Sequence, residues 1–108
     1  MAETFKNAYQ DVTNSATAVY TNSSGGTAIV IALRATNINT STDTITADVV
    51  DGTSGNSRLA LNMTVPVGGS VELAGNSKIV LENGDSIELT GGQSSGYIEA
   101  FASILEIT

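Results

Sequence analysis

The 108 residues suffice for one hydrophobic core and not for two. Eleven acidic residues against four basic ones give a net charge of −7, and Lys6, Arg34, Arg58 and Lys78 are scattered singly. That leaves no phosphate-binding patch, so direct nucleic-acid contact is not expected. Without Cys or His, a disulfide framework, thiolate or imidazole metal ligation and the commonest general base are all excluded.

The opening MAETFKNAYQ lacks the basic start and apolar run of a signal peptide. The longest apolar run, Ala28 to Leu33, is too short to cross a membrane. The expectation is a soluble protein made inside a cell. Residues 1–16 read as a polar N-terminal arm with Phe5, Tyr9 and Val12 as isolated anchors, and residues 17–108 as the folded domain.

From Thr17 the apolar period becomes two, the signature of strands. TAVYT is a short strand closed by the turn cluster Asn22-Ser-Ser-Gly-Gly26. TAIVIALRATN sets Ile29, Ile31 and Leu33 against Ala28, Val30, Ala32 and Arg34. DTITADVVD sets Ile45, Ala47 and Val49 against Thr44, Thr46, Asp48 and Val50, and Asp51 to Asn56 is a loop. RLALNMTV sets Leu59, Leu61, Met63 and Val65 against Arg58, Asn62 and Thr64, ending at Pro66. Val71, Leu73, Ile79 and Leu81 mark two further short strands. Asn83-Gly84 reads as a type I′ hairpin turn leading to Ile87 and Leu89. The final strand carries Tyr97, Phe101, Leu105 and Ile107 on one face and Ile98, Ala100, Ala102 and Ile104 on the other. The expected fold is all-β: a single antiparallel β-sandwich of jelly-roll or Ig-like character, with seven to eight strands and almost no helix.

Glu82, Asp85 and Glu88 crowd one segment, but a glycosidase needs an apolar cleft between its acids, which this sequence does not supply. Glu82 and Asp85 are expected to face water at a hairpin tip. Asp48, Asp51, Thr53, Asn56 and Asp85 offer oxygen ligands, yet DGTSGN lacks the acidic spacing of an EF-hand loop. SSGGT and GGQSSG precede no helix and match no phosphate loop. The sequons at Asn22, Asn39 and Asn62 are chance matches in a chain rich in Ser, Thr and Asn. No catalytic, cofactor or metal residue emerges, and no cofactor is expected. What is left is apolar: a final strand apolar on both faces implies either a covering loop or arm, or a subunit contact. Phe5, Tyr9, Tyr97, Phe101 and Ile107 are the candidate interface residues.

The order of the pieces resembles a known group. AVYTNSSGGTAIVIALRATNINTSTDTITADVVDG, then RLALNMTVPVGGSVELAGNSKIVLENGDSIEL, then the closing ASILEIT are similar to small virion proteins of tailed phages of marine bacteria, cyanophages in particular. The resemblance runs from about Thr17 to Thr108, and its specificity lies in the order of turns and strands. It implies a non-enzymatic virion structural protein, made in the host bacterial cytoplasm, that carries no catalytic residues. The partners it implies are other virion proteins, either the major capsid protein or neck and tail proteins, together with copies of itself. Decoration of the outer head in many copies is the first expectation, a neck, tail or baseplate ring or trimer the second. A carbohydrate-binding module is the more distant alternative, for which Phe5, Tyr9, Tyr20, Tyr97 and Phe101 are the available rings.

Overall fold

The computed structural model describes residues 2–51, 55–74, 78–93 and 98–108. Nine strands fill it: β1 (Glu3–Val12), β2 (Thr17–Thr21), β3 (Thr27–Asn37), β4 (Asp43–Asp51), β5 (Gly55–Val65), β6 (Ser70–Glu72), β7 (Ile79–Leu81), β8 (Ser86–Gly91) and β9 (Ile98–Ile107). No helix occurs among the described residues.

All pairings are antiparallel. One sheet has the order β1-β9-β3-β6, with β7 also on β3, and the other has the order β2-β8-β4-β5. This is the strand order of a jelly roll, its sixth position divided between β6 and β7, which decides against the Ig-like alternative. The segment expected as an arm is β1, an edge strand in register with β9 from Glu3↔Ile107 to Val12↔Ile98.

The core lies between the sheets. Val30, Leu33, Ile98, Ala102 and Ile104 meet Ile45, Ala47, Ile87 and Leu89 there, all fully buried. Two bulges reset the side-chain phase and correct the faces expected from alternation. In β3 the register shifts between Val30 and Ala32, so Ala28 and Val30 point inward, Ile31 stands out, and Leu33 and Ala35 return to the core. In β5, Ile45 pairs Met63 while Ala47 pairs Ala60, leaving Leu61 and Asn62 opposite Thr46. Asn62 takes φ 48°, a conformation Asn tolerates, and its N–H donates to Thr46 Oγ1 at 3.0 Å. Leu61 is consequently 61% exposed rather than in line with Val65.

Two buried asparagines secure opposite ends of β3. Asn22 donates to the carbonyls of Gly26 (3.0 Å) and Leu81 (2.9 Å), and its oxygen accepts from Ser24 N–H and Oγ. Asn37 donates to the carbonyls of Ser41 and Val65, both at 3.0 Å, and accepts from Asn39 N–H. Each closes a local turn with its oxygen and ties a distant strand with its amide. Burial of Asn22 also closes that sequon to modification.

Candidate functional site

The turn at Asn83-Gly84 differs from its sequence reading. Asp85 N–H donates to Glu82 C=O at 3.0 Å, and of the two central residues only Gly84 has positive φ, at 97°. That is a type II turn, not type I′. It is not a hairpin either, because β7 pairs within one sheet and β8 within the other. Crossing between sheets turns Asp85 inward, where it is 8% exposed and its Oδ2 accepts the Glu82 N–H at 3.1 Å. Glu82 faces water as expected; Asp85 does not.

Carboxylate oxygens of Asp51, Glu82 and Asp85 lie within 4.8 Å of one another beside a depression of ≈ 350 Å³. An all-oxygen set is the chemistry of a hard cation. Asp51 and Asp85 are both engaged by further partners, and Asp85 is held by the turn, so these acids have a structural use. Thr53 lies outside the described residues. Glu88 is half-buried on β8, opposite Ala18 and Asp48, away from this group.

The outer face of the β1-β9-β3 sheet carries the interface candidates. Residue registers place Phe5, Leu105, Ile29 and Val80 in one row across β1, β9, β3 and β7. Phe5 is 73% and Val80 59% exposed, with Leu105 and Ile29 half-buried between them. Ile107 adjoins this row from the next one, beside Glu3 and Thr27. Four residues along, Tyr9, Phe101 and Arg34 form a second row. Tyr9 and Phe101 have ring centroids 5.4 Å apart at 47°, and the Arg34 guanidinium sits 5.4 Å from the Phe101 centroid. Asp11 and Glu99, opposed like charges, complete a shallow groove of ≈ 300 Å³ with these rings and Thr36. Phe5, Tyr9, Phe101 and Ile107 thus share one surface; Tyr97 lies outside the described residues. Alternation along single strands missed Ile29, whose phase the β3 bulge conceals, and Val80, which sits between two core residues.

The face offers apolar contact, a cation over a ring and, among the described residues, two acids outside any ion pair. The tilt of Tyr9 on Phe101 denies a sugar ring a flat two-ring platform. Tyr20 is buried and donates to Glu106 at 2.5 Å. Lys6 meets the same Glu106 carboxylate at 3.3 Å. The Tyr20 hydrogen bond, aided by Lys6 and opposed by burial, holds the Glu106 carboxyl below its ordinary value. Burial and then Glu106 push the Tyr20 phenol up.

No protein-family model and no curated protein matches the chain. Solved structures do. A subunit of Bacillus endospore appendages, described as disulfide-linked pili, aligns with TM-score 0.57 and 12% identity over 96% of this chain and 84% of its own. A pentameric capsid protein from metagenomic phage sequences aligns with TM-score 0.51 and 19% identity over 89% of this chain and 60% of its own. A chain of infectious bursal disease virus, Gx strain, aligns with TM-score 0.56 and 9% identity, covering 95% of this chain and 31% of its own. At these identities the likeness is one of fold.

Proposed function

We propose that this chain is a non-enzymatic structural protein of a phage particle, assembled through the outer face of its β1-β9-β3 sheet. The observation that carries the reading is the row Phe5, Leu105, Ile29 and Val80, open to solvent across four strands of an acidic protein. Covering apolar surface contributes roughly 25 cal/mol per Å², and soluble monomers seldom leave a contiguous patch bare. Fold likeness to a phage capsid protein and to a virus chain supports a place in a virion, as does the sequence resemblance to small phage virion proteins.

Decoration of the outer head, on the major capsid protein and in many copies, fits a small acidic domain best. Its charge keeps free copies soluble while one apolar face docks. A neck, tail or baseplate ring or trimer, which the sequence resemblance also implies, is the second reading. In either reading the chain is made in the host cytoplasm and resides in the virion.

The test is Phe101→Asp, introduced into the phage and into purified protein. The isolated variant is expected to keep the wild-type circular dichroism and melting curve, since Phe101 lies outside the core. Purified particles are expected to lack it. Incorporation at the wild-type level would remove the face from the assembly.

A further inference from the structure

Strands at sheet edges expose unpaired backbone groups and are ordinarily shortened, bulged or interrupted. Three of the four edges here follow that rule. β6 and β7 have three residues each, β2 loses register between Ala18 and Tyr20, and β5 is bulged at Leu61-Asn62. β1 keeps register over all ten of its residues, with no proline and no bulge.

The phase of its free edge follows from one pair of bonds. Ala2 N–H donates to Thr108 C=O at 2.8 Å and Thr108 N–H to Ala2 C=O at 2.9 Å. Bonded and non-bonded pairs alternate along an antiparallel ladder. Even-numbered residues of β1 therefore turn their backbone groups toward β9. Glu3, Phe5, Asn7, Tyr9 and Asp11 turn theirs toward the open edge, and carry their side chains on the outer face. These five residues read acid, aromatic, Asn, aromatic, acid in either direction.

We infer that β1 pairs antiparallel with β1 of a second copy about a two-fold axis through Asn7. Asn7 then faces Asn7 of the second copy, and each Phe5 faces the other copy's Tyr9 across a pair of backbone hydrogen bonds. The apolar row of each copy runs on into the Tyr9–Phe101 pair of the other. A two-residue slip sets Phe5 against Asn7 or Asp11 and separates the rings. A one-residue slip turns the outer face inward. Lys6 faces Ala8 of the second copy and remains tied to its own Glu106. The palindromic chemistry commits the edge to another copy of itself rather than to an unrelated strand. The opposition of Glu3 to Asp11 at both ends of the seam, with −7 on each copy, makes the dimer tighten as salt is added. The inference does not rest on a virion role.

Sedimentation equilibrium over a concentration series into the millimolar range is expected to show a monomer–dimer equilibrium that salt strengthens. Amide exchange by NMR should show Phe5, Asn7 and Tyr9 slowing only in the concentrated sample, with Lys6, Ala8 and Gln10 protected in both. Asn7→Pro removes an edge N–H that the β1–β9 ladder does not use, so it should leave a folded monomer. Glu3→Lys places opposite charges at both ends of the seam and should tighten the dimer about tenfold. A monomer at every concentration overturns the proposal. So does a dimer in which folded Asn7→Pro changes nothing, or one whose newly protected amides lie outside β1. Should Asn7→Pro not fold, the exchange pattern and Glu3→Lys decide.

Discussion

At the residue scale, two buried asparagines tie the ends of β3 to distant strands. Asn22 satisfies two main-chain carbonyls that its own backbone cannot reach, and no other described side chain bonds them. Asn22→Ala removes both of these bonds and the two its oxygen accepts from a fully buried position, which costs about 2–4 kcal/mol. Asn14→Ala, at an exposed loop position, is expected to stay within about 0.5 kcal/mol of wild type. Urea denaturation of the two variants checks this, and equal losses would deny Asn22 its role. Neither Asn22 nor Asn37 stands out in a sequence rich in Asn and Ser, because their importance comes from carbonyls 59 and 28 residues away.

At the element scale, Tyr20 of β2, Lys6 of β1 and Glu106 of β9 join the open side of the sandwich across its two sheets. A carboxyl held below its unfolded value stabilises the fold above that value, and the stabilisation is lost as pH falls through the folded one. Tyr20→Phe removes the largest cause of the shift. The variant should therefore be least stable relative to wild type at neutral pH, with the gap narrowing below about pH 4. A gap that does not change with pH would assign the loss to packing alone. The strands from β2 onward were legible from period-two alternation, and the described residues hold no helix, as expected. Their phases were legible only up to a bulge: Ile31-Ala32 and Leu61-Asn62 each set two residues against one on a neighbouring strand, and a single strand carries no record of its neighbour. β1 read as an arm because its inward side buries only Val12 and part of Ala8, too little to mark an alternation. Phe5 and Tyr9 stand out in the sequence as isolated rings of a polar segment and Phe101 as a ring on a strand apolar on both faces; that β1 and β9 are neighbours, which sets the three on one face, is not legible there.

At the scale of the whole molecule, one small domain offers two distinct surfaces, an apolar sheet face and an open strand edge. Copy counting by mass spectrometry of purified virions separates the two particle readings. Counts on the order of hundreds place the chain on the head, and roughly a dozen place it in a neck or tail ring. Absence from the particle would remove the virion reading itself. The position of β9 has a consequence of another kind, in time. Of the nine described strands it is made last, yet it lies between β1 and β3 and both ladders depend on it. During synthesis β1 leaves the ribosome before the other eight described strands and waits for a partner that emerges after all of them. Closing the sheet joins the two described strands farthest apart in sequence, a slow kind of contact to form. For that interval the ten residues of β1 expose both edges, and neighbouring nascent copies on one message are the nearest strands of matching pattern.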